Sequence, residues 1–145
     1  MRKKKEVIVP TSVRFILPIM LTLGLFIILH GHLSPGGGFQ GGVILAGVVL
    51  LIYFCGGYKK VDEKFKKEDY KFFEGLWALA FVFLGVIGLR VGTNFFTNVL
   101  SLGEPGDLIS SGTIFMMNFA VGFKVFAGIT FLIAIFIGLL RREED

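Results

Sequence analysis

The sequence has few residues of the kinds that build covalent or metal-bound sites. Its 145 residues include one cysteine, Cys55, and two histidines, His30 and His32. A single cysteine excludes a disulfide within the chain and a cysteine metal cluster. The two histidines are two positions apart, which does not place them on one helix face and disfavours a helical metal pair. Since no nucleophile stands beside a base, we predict a non-catalytic protein that holds no cofactor.

Charge is also missing from long stretches of the chain. Only 18% of the residues are charged. Twelve of the 15 lysines and arginines fall in three clusters, at residues 2–5, 59–71 and 141–142. A transmembrane helix needs about 20 predominantly apolar residues, and the stretches between the clusters provide this length. The sequence therefore predicts helices that cross a membrane.

We interpret the apolar stretches as four transmembrane helices in a single membrane domain, residues 1–145. The spans are predicted at residues 13–29, 39–58, 72–89 and 114–140. The predicted fold class is thus an all-α membrane protein. The basic start of the chain is similar to that of a secretory signal, but no small-residue cleavage site follows Leu29, so we expect the first span to be retained.

The distribution of basic residues predicts the orientation of the chain in the membrane. Four spans place both termini and the 59–71 loop on the same side. That side holds 13 of the 15 lysines and arginines, and such an excess marks the cytoplasmic side. We therefore expect both termini in the cytoplasm, in a multi-pass protein of the cell membrane. The net charge of +4 follows from this topology, and we do not interpret it as a nucleic-acid-binding surface.

A glycine-rich stretch, GHLSPGGGFQGG, lies between the first two spans at residues 31–42. A phosphate-binding loop would carry a lysine after the glycines, and none follows here. We interpret the stretch as a tight outer crossover, whose non-helical backbone is buried by protein or lines a water-filled cavity. Its residues are Pro35, Gly36, Gly37, Gly38, Gly41 and Gly42. Gln40 either caps the second helix or offers an oxygen to an ion, and His32 either lies at the membrane interface or relays protons.

Lys124 is the charged residue that lies deepest in a predicted span. It is about ten positions into the fourth span, or roughly 15 Å from the outer end. A charge at the bilayer centre costs on the order of 2.5–3.5 kcal/mol, and such residues usually face protein or water. Ala120 and Gly128, four positions to either side, are small, so Lys124 projects from a face suited to helix packing. It either snorkels to the membrane surface or has a role in function or assembly.

No acidic residue is expected at the depth of Lys124. Glu74 is the only acid within a predicted span, and we place it at the cytoplasmic end of the third span. There it either caps the helix N-terminus, where negative charge is favoured, or has a role in function. Lys124 would then be neutral, hydrated with help from Asn118, or paired with an acid of another polypeptide. The missing counter-ion predicts that the chain works inside a hetero-oligomer.

Three motifs make the sequence resemble a known family. They are GHxxPGGGFxGG between two spans, Phe-Glu-Gly at residues 73–75, and Asn-x-x-Val-Gly-x-Lys at residues 118–124. From about residue 11 to residue 140 the chain resembles the B subunit of multisubunit Na+/H+ antiporters, the MnhB/MrpB family. The same module occurs in archaeal membrane-bound hydrogenases and related reductases, where antiporter-type subunits are fused to a redox arm.

The resemblance implies a small helical subunit of a large assembly that couples Na+ and H+ movement. The implied partners are other antiporter-type membrane subunits, membrane lipid, Na+ and H+, and in some hosts a hydrogenase-like or reductase-like arm. The candidates for an ion path are Lys124, Glu74, His32, Gln40 and Asn118. The alternative is a purely structural subunit that seals helices or lipids without touching ions. A free-standing transporter is disfavoured because Lys124 lacks an internal partner and no inverted repeat is present.

Overall fold

The computed structural model describes residues 2–33, 35–56, 61, 66–91, 94–104 and 106–142. Most of these residues lie in four long helices, α1 Arg2–His30, α2 Gly38–Gly56, α3 Lys67–Val91 and α4 Thr113–Arg142. No strand occurs in the described ranges. Each helix contains a segment long and apolar enough to cross a membrane. The prediction of an all-α membrane protein with four transmembrane helices is confirmed, and the orientation of its termini stays a prediction.

Among the segments that fit a membrane, the bounds differ most from the predicted ones at the start of the third span. The segments that fit a membrane are Pro10–His30, Gly38–Gly56, Lys67–Arg90 and Thr113–Leu140. We predicted a start at residue 72, whereas α3 begins at Lys67. Glu68 and Asp69 lie in its first turn, where negative side chains stabilise the unpaired N–H groups of the helix. Hydropathy alone assigns this charged turn to the preceding loop, which is why the predicted start is too late.

The bundle is organised around α4. This helix packs against both α2 and α3, while α1 packs mainly against α2. Alanines form much of the centre, and those with 0–2% of their surface exposed are Ala46, Ala120, Ala127 and Ala134. Lipid is as apolar as a helix surface, so helices associate in it by close contact, which small residues permit. Close backbone approach therefore holds this bundle together more than large core side chains do.

The segment that connects α3 to α4 is folded against the start of α4. The Asn98 side-chain oxygen Oδ1 accepts a hydrogen bond from the N–H of Thr113 at 2.8 Å. In return, Thr113 Oγ1 accepts one from the N–H of Val99 at 3.1 Å. Thr113 is the first residue of α4 and is 1% exposed. Asn98 thus satisfies one of the helix donors that have no partner inside the helix.

Replacing Asn98 by alanine is expected to lower the melting temperature of the protein purified in detergent by about 2–4 °C, because losing a helix cap costs roughly 1 kcal/mol. Asn94→Ala is the matched control, since the main-chain carbonyl of Asn94 accepts the hydrogen bonds of Thr97. An unchanged melting temperature for Asn98→Ala would contradict the capping role.

Candidate functional site

α3 and α4 place Glu74 opposite Lys124. Lys124 Nζ donates a hydrogen bond to Glu74 Oε1 across 3.4 Å. The contacts next to it fix the register of the two helices: the Trp77 ring stacks on Phe123, with centroids 5.2 Å apart, and meets the Phe119 ring at 5.7 Å. Trp77 follows Glu74 by about one turn on α3, and its partners Phe123 and Phe119 precede Lys124 on α4. The two helices therefore run antiparallel.

The prediction that Lys124 has no acid at its own depth is wrong. Glu74 lies seven positions after the start of α3 at Lys67, or about 10 Å into the helix. It is therefore past the first turn, so of the two alternatives for Glu74 the one in which it caps the helix N-terminus is wrong. The backbones of Glu74 and Lys124 need not lie at the same depth, because both side chains are long and their charged ends meet at 3.4 Å. The argument from a missing counter-ion no longer supports a hetero-oligomer.

The Lys124–Glu74 pair lies at the side of the bundle and is not enclosed by this chain. The side chains are 43% and 36% exposed, respectively. Both border an open groove of about 360 Å³, which Phe39, Gly128 and Leu132 also line. A lysine carries three N–H donors and a carboxylate has two acceptor oxygens. One contact at 3.4 Å leaves most of this capacity for groups that enter the groove.

Asn118 joins three helices at the glycine-rich crossover. Its Oδ1 accepts a hydrogen bond from the N–H of Gly38 at 2.6 Å, and its Nδ2 donates one to the carbonyl of Ile28 at 2.6 Å. Ile28 lies in the last turn of α1, and Gly38 is the first residue of α2. Both groups of the Asn118 amide are thus bonded to backbone, which leaves the suggested hydration of Lys124 without support.

The glycines of the crossover allow the backbones of α1, α2 and α4 to approach closely. A Cβ atom on Gly42 would stand 2.5 Å from the carbonyl oxygen of Gly122, and one on Gly41 would stand 2.6 Å from Ile28. A Cβ on Gly38 would overlap the Asn118 carbonyl. These contacts exclude any side chain at the three positions. Much of the glycine-rich stretch is therefore a helix-packing surface.

The remaining crossover residues take part in local contacts. Gln40 Oε1 accepts a hydrogen bond from the N–H of Gly37 at 2.8 Å, which is the helix-capping alternative of the two predicted for it. Gly36 is partly buried and Pro35 is exposed. The His32 ring meets the Phe115 ring edge-on at 5.1 Å, and its buried ring nitrogens have no hydrogen-bond partner in the part of the chain that the structure describes.

The structure thus divides the predicted site residues into two groups. His32, Gln40 and Asn118 belong to the crossover, whereas Lys124 and Glu74 form the ion pair on the side of the bundle. Sequence analysis missed the aromatic residues beside the pair. Phe39 shares its groove, and its place within the glycine motif was the signal that could have found it. The spacing of Trp77, three positions after Glu74 on the same helix, was a second such signal.

Comparisons with known proteins identify related chains. Residues 8–131 match a family model described as a domain related to the MnhB subunit of Na+/H+ antiporter. A protein of Methanocaldococcus jannaschii with no assigned function is 35% identical over 121 residues, which are 77% of this chain and 45% of that protein. A protein of Staphylococcus saprophyticus that carries the name antiporter subunit mnhB2 is 36% identical over 59 residues, or 41% of this chain and 42% of that protein.

A solved structure is also similar. It is a chain in the structure of the membrane-bound sulfane sulfur reductase, an archaeal respiratory membrane complex. The TM-score is 0.72 at 28% identity, and the match covers 88% of this chain and 56% of that chain. The chain described here thus spans about half the length of the relatives that it matches.

Proposed function

Because this chain belongs to the MnhB family of Na+/H+ antiporter subunits, we propose that it is an accessory subunit in which the Lys124–Glu74 pair contributes to Na+ and H+ translocation. It is a multi-pass protein of the cell membrane, and as an MnhB-type subunit it works with other membrane subunits. Beyond the family and the membrane location, we propose which residues act in the ion path, namely Lys124 and Glu74.

The observation that carries the proposal is a half-exposed ion pair between two apolar helices. A purely structural contact at this place would be served at least as well by apolar side chains, since replacing a buried ion pair by well-packed hydrophobic residues is often neutral or stabilising. Ionisable residues within membrane helices usually mark ion or proton pathways. The Glu74 carboxylate has two alternative cationic partners, the Lys124 ammonium and a Na+ ion, and it can also accept a proton.

The test is to replace Lys124 by glutamine in the intact complex and to measure Na+-dependent proton transport in inverted membrane vesicles. We expect transport to fall about tenfold or more, since a hydrogen bond to a charged group is worth roughly 1.5–3 kcal/mol, while the complex still assembles. Arg90→Gln is the matched control, because Arg90 is an exposed basic residue at the end of α3. Normal transport by assembled Lys124→Gln complex would refute the ion-path role.

The second candidate function is a structural subunit with no ion contact. The Asn118 hydrogen bonds and the glycine contacts favour it, because they hold three helices together. It predicts a different result for the same variant: Lys124→Gln would lower the yield of complex, and the complex that does assemble would transport ions normally.

We further propose that the host complex is of the respiratory type, with a hydrogenase-like or reductase-like arm. The similarity to a chain of the sulfane sulfur reductase supports this, since it extends over 88% of the present chain. Purifying the tagged chain from its native membranes in mild detergent tests the proposal. Recovery with redox subunits is expected, whereas recovery with antiporter-type subunits alone would contradict it.

A further inference from the structure

We propose that one transmembrane helix of a neighbouring subunit lies along α4, in a groove made of two adjoining cavities that α2 also borders, and offers an oxygen acceptor to Lys124. The groove is defined on α4 by Lys124, Gly128, Leu132, Ile135 and Leu139. This inference concerns a contact between subunits, so it goes beyond the proposed function and does not depend on a role in ion transport.

The groove residues of α4 lie on one face of that helix. Their spacings of three and four positions keep them within one stripe. From Lys124 to Leu139 the stripe is about 22 Å long at 1.5 Å per residue, or roughly four helical turns, and it covers the part of α4 that follows Lys124. Leu132 is 64% exposed and Leu139 is 58% exposed. The length fits one transmembrane helix lying along α4.

α2 contributes residues to both ends of the groove. Phe39 borders its outer part together with Lys124 and Glu74. Leu50 and Phe54 border its inner part, a cavity of about 750 Å³. Leu132 lines both parts, so the two cavities adjoin, and we treat them together as one groove. The groove is therefore apolar along its inner part and carries the ion pair at its outer end.

The ion pair decides which occupant fits. A lipid chain would cover the apolar part well, but the remaining donors of Lys124 and acceptors of Glu74, which are half-exposed, would then face hydrocarbon without a partner. A helix with an oxygen-bearing side chain, a carboxylate or an amide, satisfies both parts at once. Gly128 lies beside the pair, and the atoms nearest to a Cβ there would be those of the Glu74 side chain, at 3.5–3.6 Å. The lack of a side chain at Gly128 lets the backbone of another helix come close.

The test is site-specific photocrosslinking in the purified native complex. A benzophenone amino acid at Leu132 or Leu139 is expected to form a covalent product with one and the same membrane subunit. The matched controls are Leu79 and Phe83 on the exposed side of α3, which are 70% and 65% exposed and are expected to give lipid products. Lipid products at Leu132 and Leu139, or products with two different subunits, would overturn the proposal.

The crosslinked peptide then tests the chemistry of the partner. We expect it to lie in an apolar segment that contains Asp, Glu, Asn or Gln near the depth of Lys124, and a segment without any of these residues would overturn that part of the proposal.

Gly128→Leu provides an independent measurement, because the leucine side chain would fill the groove. It is expected to lower recovery of the chain with its complex several-fold, whereas Gly75→Leu, a position with no atom within 4 Å, is expected to leave recovery unchanged. Crosslinks together with normal transport by Lys124→Gln would refute the ion-path role alone.

Discussion

Replacing Gly38 by alanine is expected to separate α2 from α4 and to lower the melting temperature of the purified protein by about 6–12 °C. The added Cβ would overlap the Asn118 carbonyl and stand 2.7 Å from the main-chain nitrogen of Gly122. Both neighbours are backbone atoms of a helix, so no side-chain rotation can relieve the overlap. Overpacking typically costs about 1–3 kcal/mol, and this substitution also strains the hydrogen bond from Gly38 to Asn118. We place the loss at the upper end of that range, which at roughly 2–4 °C per kcal/mol gives the stated shift.

Gly75→Ala is the matched control for this prediction. Gly75 also lies within a transmembrane helix, and a Cβ there would meet no atom within 4 Å. Alanine favours the helix by about 1 kcal/mol relative to glycine, so the melting temperature should be unchanged or higher. If Gly38→Ala and Gly75→Ala melted at the same temperature, the close approach of α2 and α4 would be wrong.

The helices and their packing surfaces could be predicted from the sequence because both leave local patterns. Long runs without charge indicate spans, and all four predicted spans correspond to helices of the structure. The four-residue spacing of Gly38, Gly42 and Ala46 places them on one face of α2, and all three are buried. Helices in lipid associate closely mainly where small residues line one face. A four-residue spacing of small residues therefore indicates a packing surface.

The Lys124–Glu74 contact could not be predicted in this way, because it depends on how two helices are aligned. The two residues are 50 positions apart in the sequence. Their predicted depths in the membrane depend on where each helix begins, and hydropathy sets that boundary at the nearest charged residues. The charged turn after Lys67 belongs to α3 and adds about 7.5 Å of helix at its start. An error of this size in the depth of Glu74 exceeds the 3.4 Å between the two charged groups. It is therefore enough to conceal their contact.

Asn118 was predicted as an ion-path residue for a related reason. A polar side chain in a transmembrane span indicates that some polar partner exists, but the sequence does not distinguish an ion from a backbone group. Its partners, Gly38 and Ile28, are 80 and 90 positions away. They lie at helix ends, where N–H and C=O groups have no partner inside the helix. The structure therefore favours a role for Asn118 in joining helix ends.

Replacing Asn118 by leucine is expected to destabilise the protein strongly and to leave the Na+ dependence of transport unchanged. The substitution removes the partner of the Gly38 N–H and of the Ile28 carbonyl. Each buried group left without a partner costs about 1–3 kcal/mol, so we expect a total loss of roughly 2–6 kcal/mol and a correspondingly lower yield of assembled complex. Met116→Leu, at an exposed position on the same helix, is the matched control and should behave as wild type.

The two roles of Asn118 differ in what remains after the substitution. If the side chain only joins helix ends, the complex that still assembles should reach half-maximal transport at the wild-type Na+ concentration, since the Lys124–Glu74 pair lies elsewhere, between α3 and α4. If the side chain binds the ion, that concentration should rise while the melting temperature stays near that of Met116→Leu. Measuring both quantities on the same preparation separates the two roles. A raised Na+ requirement with normal stability would show that the hydrogen bonds of Asn118 are exchanged for an ion during transport.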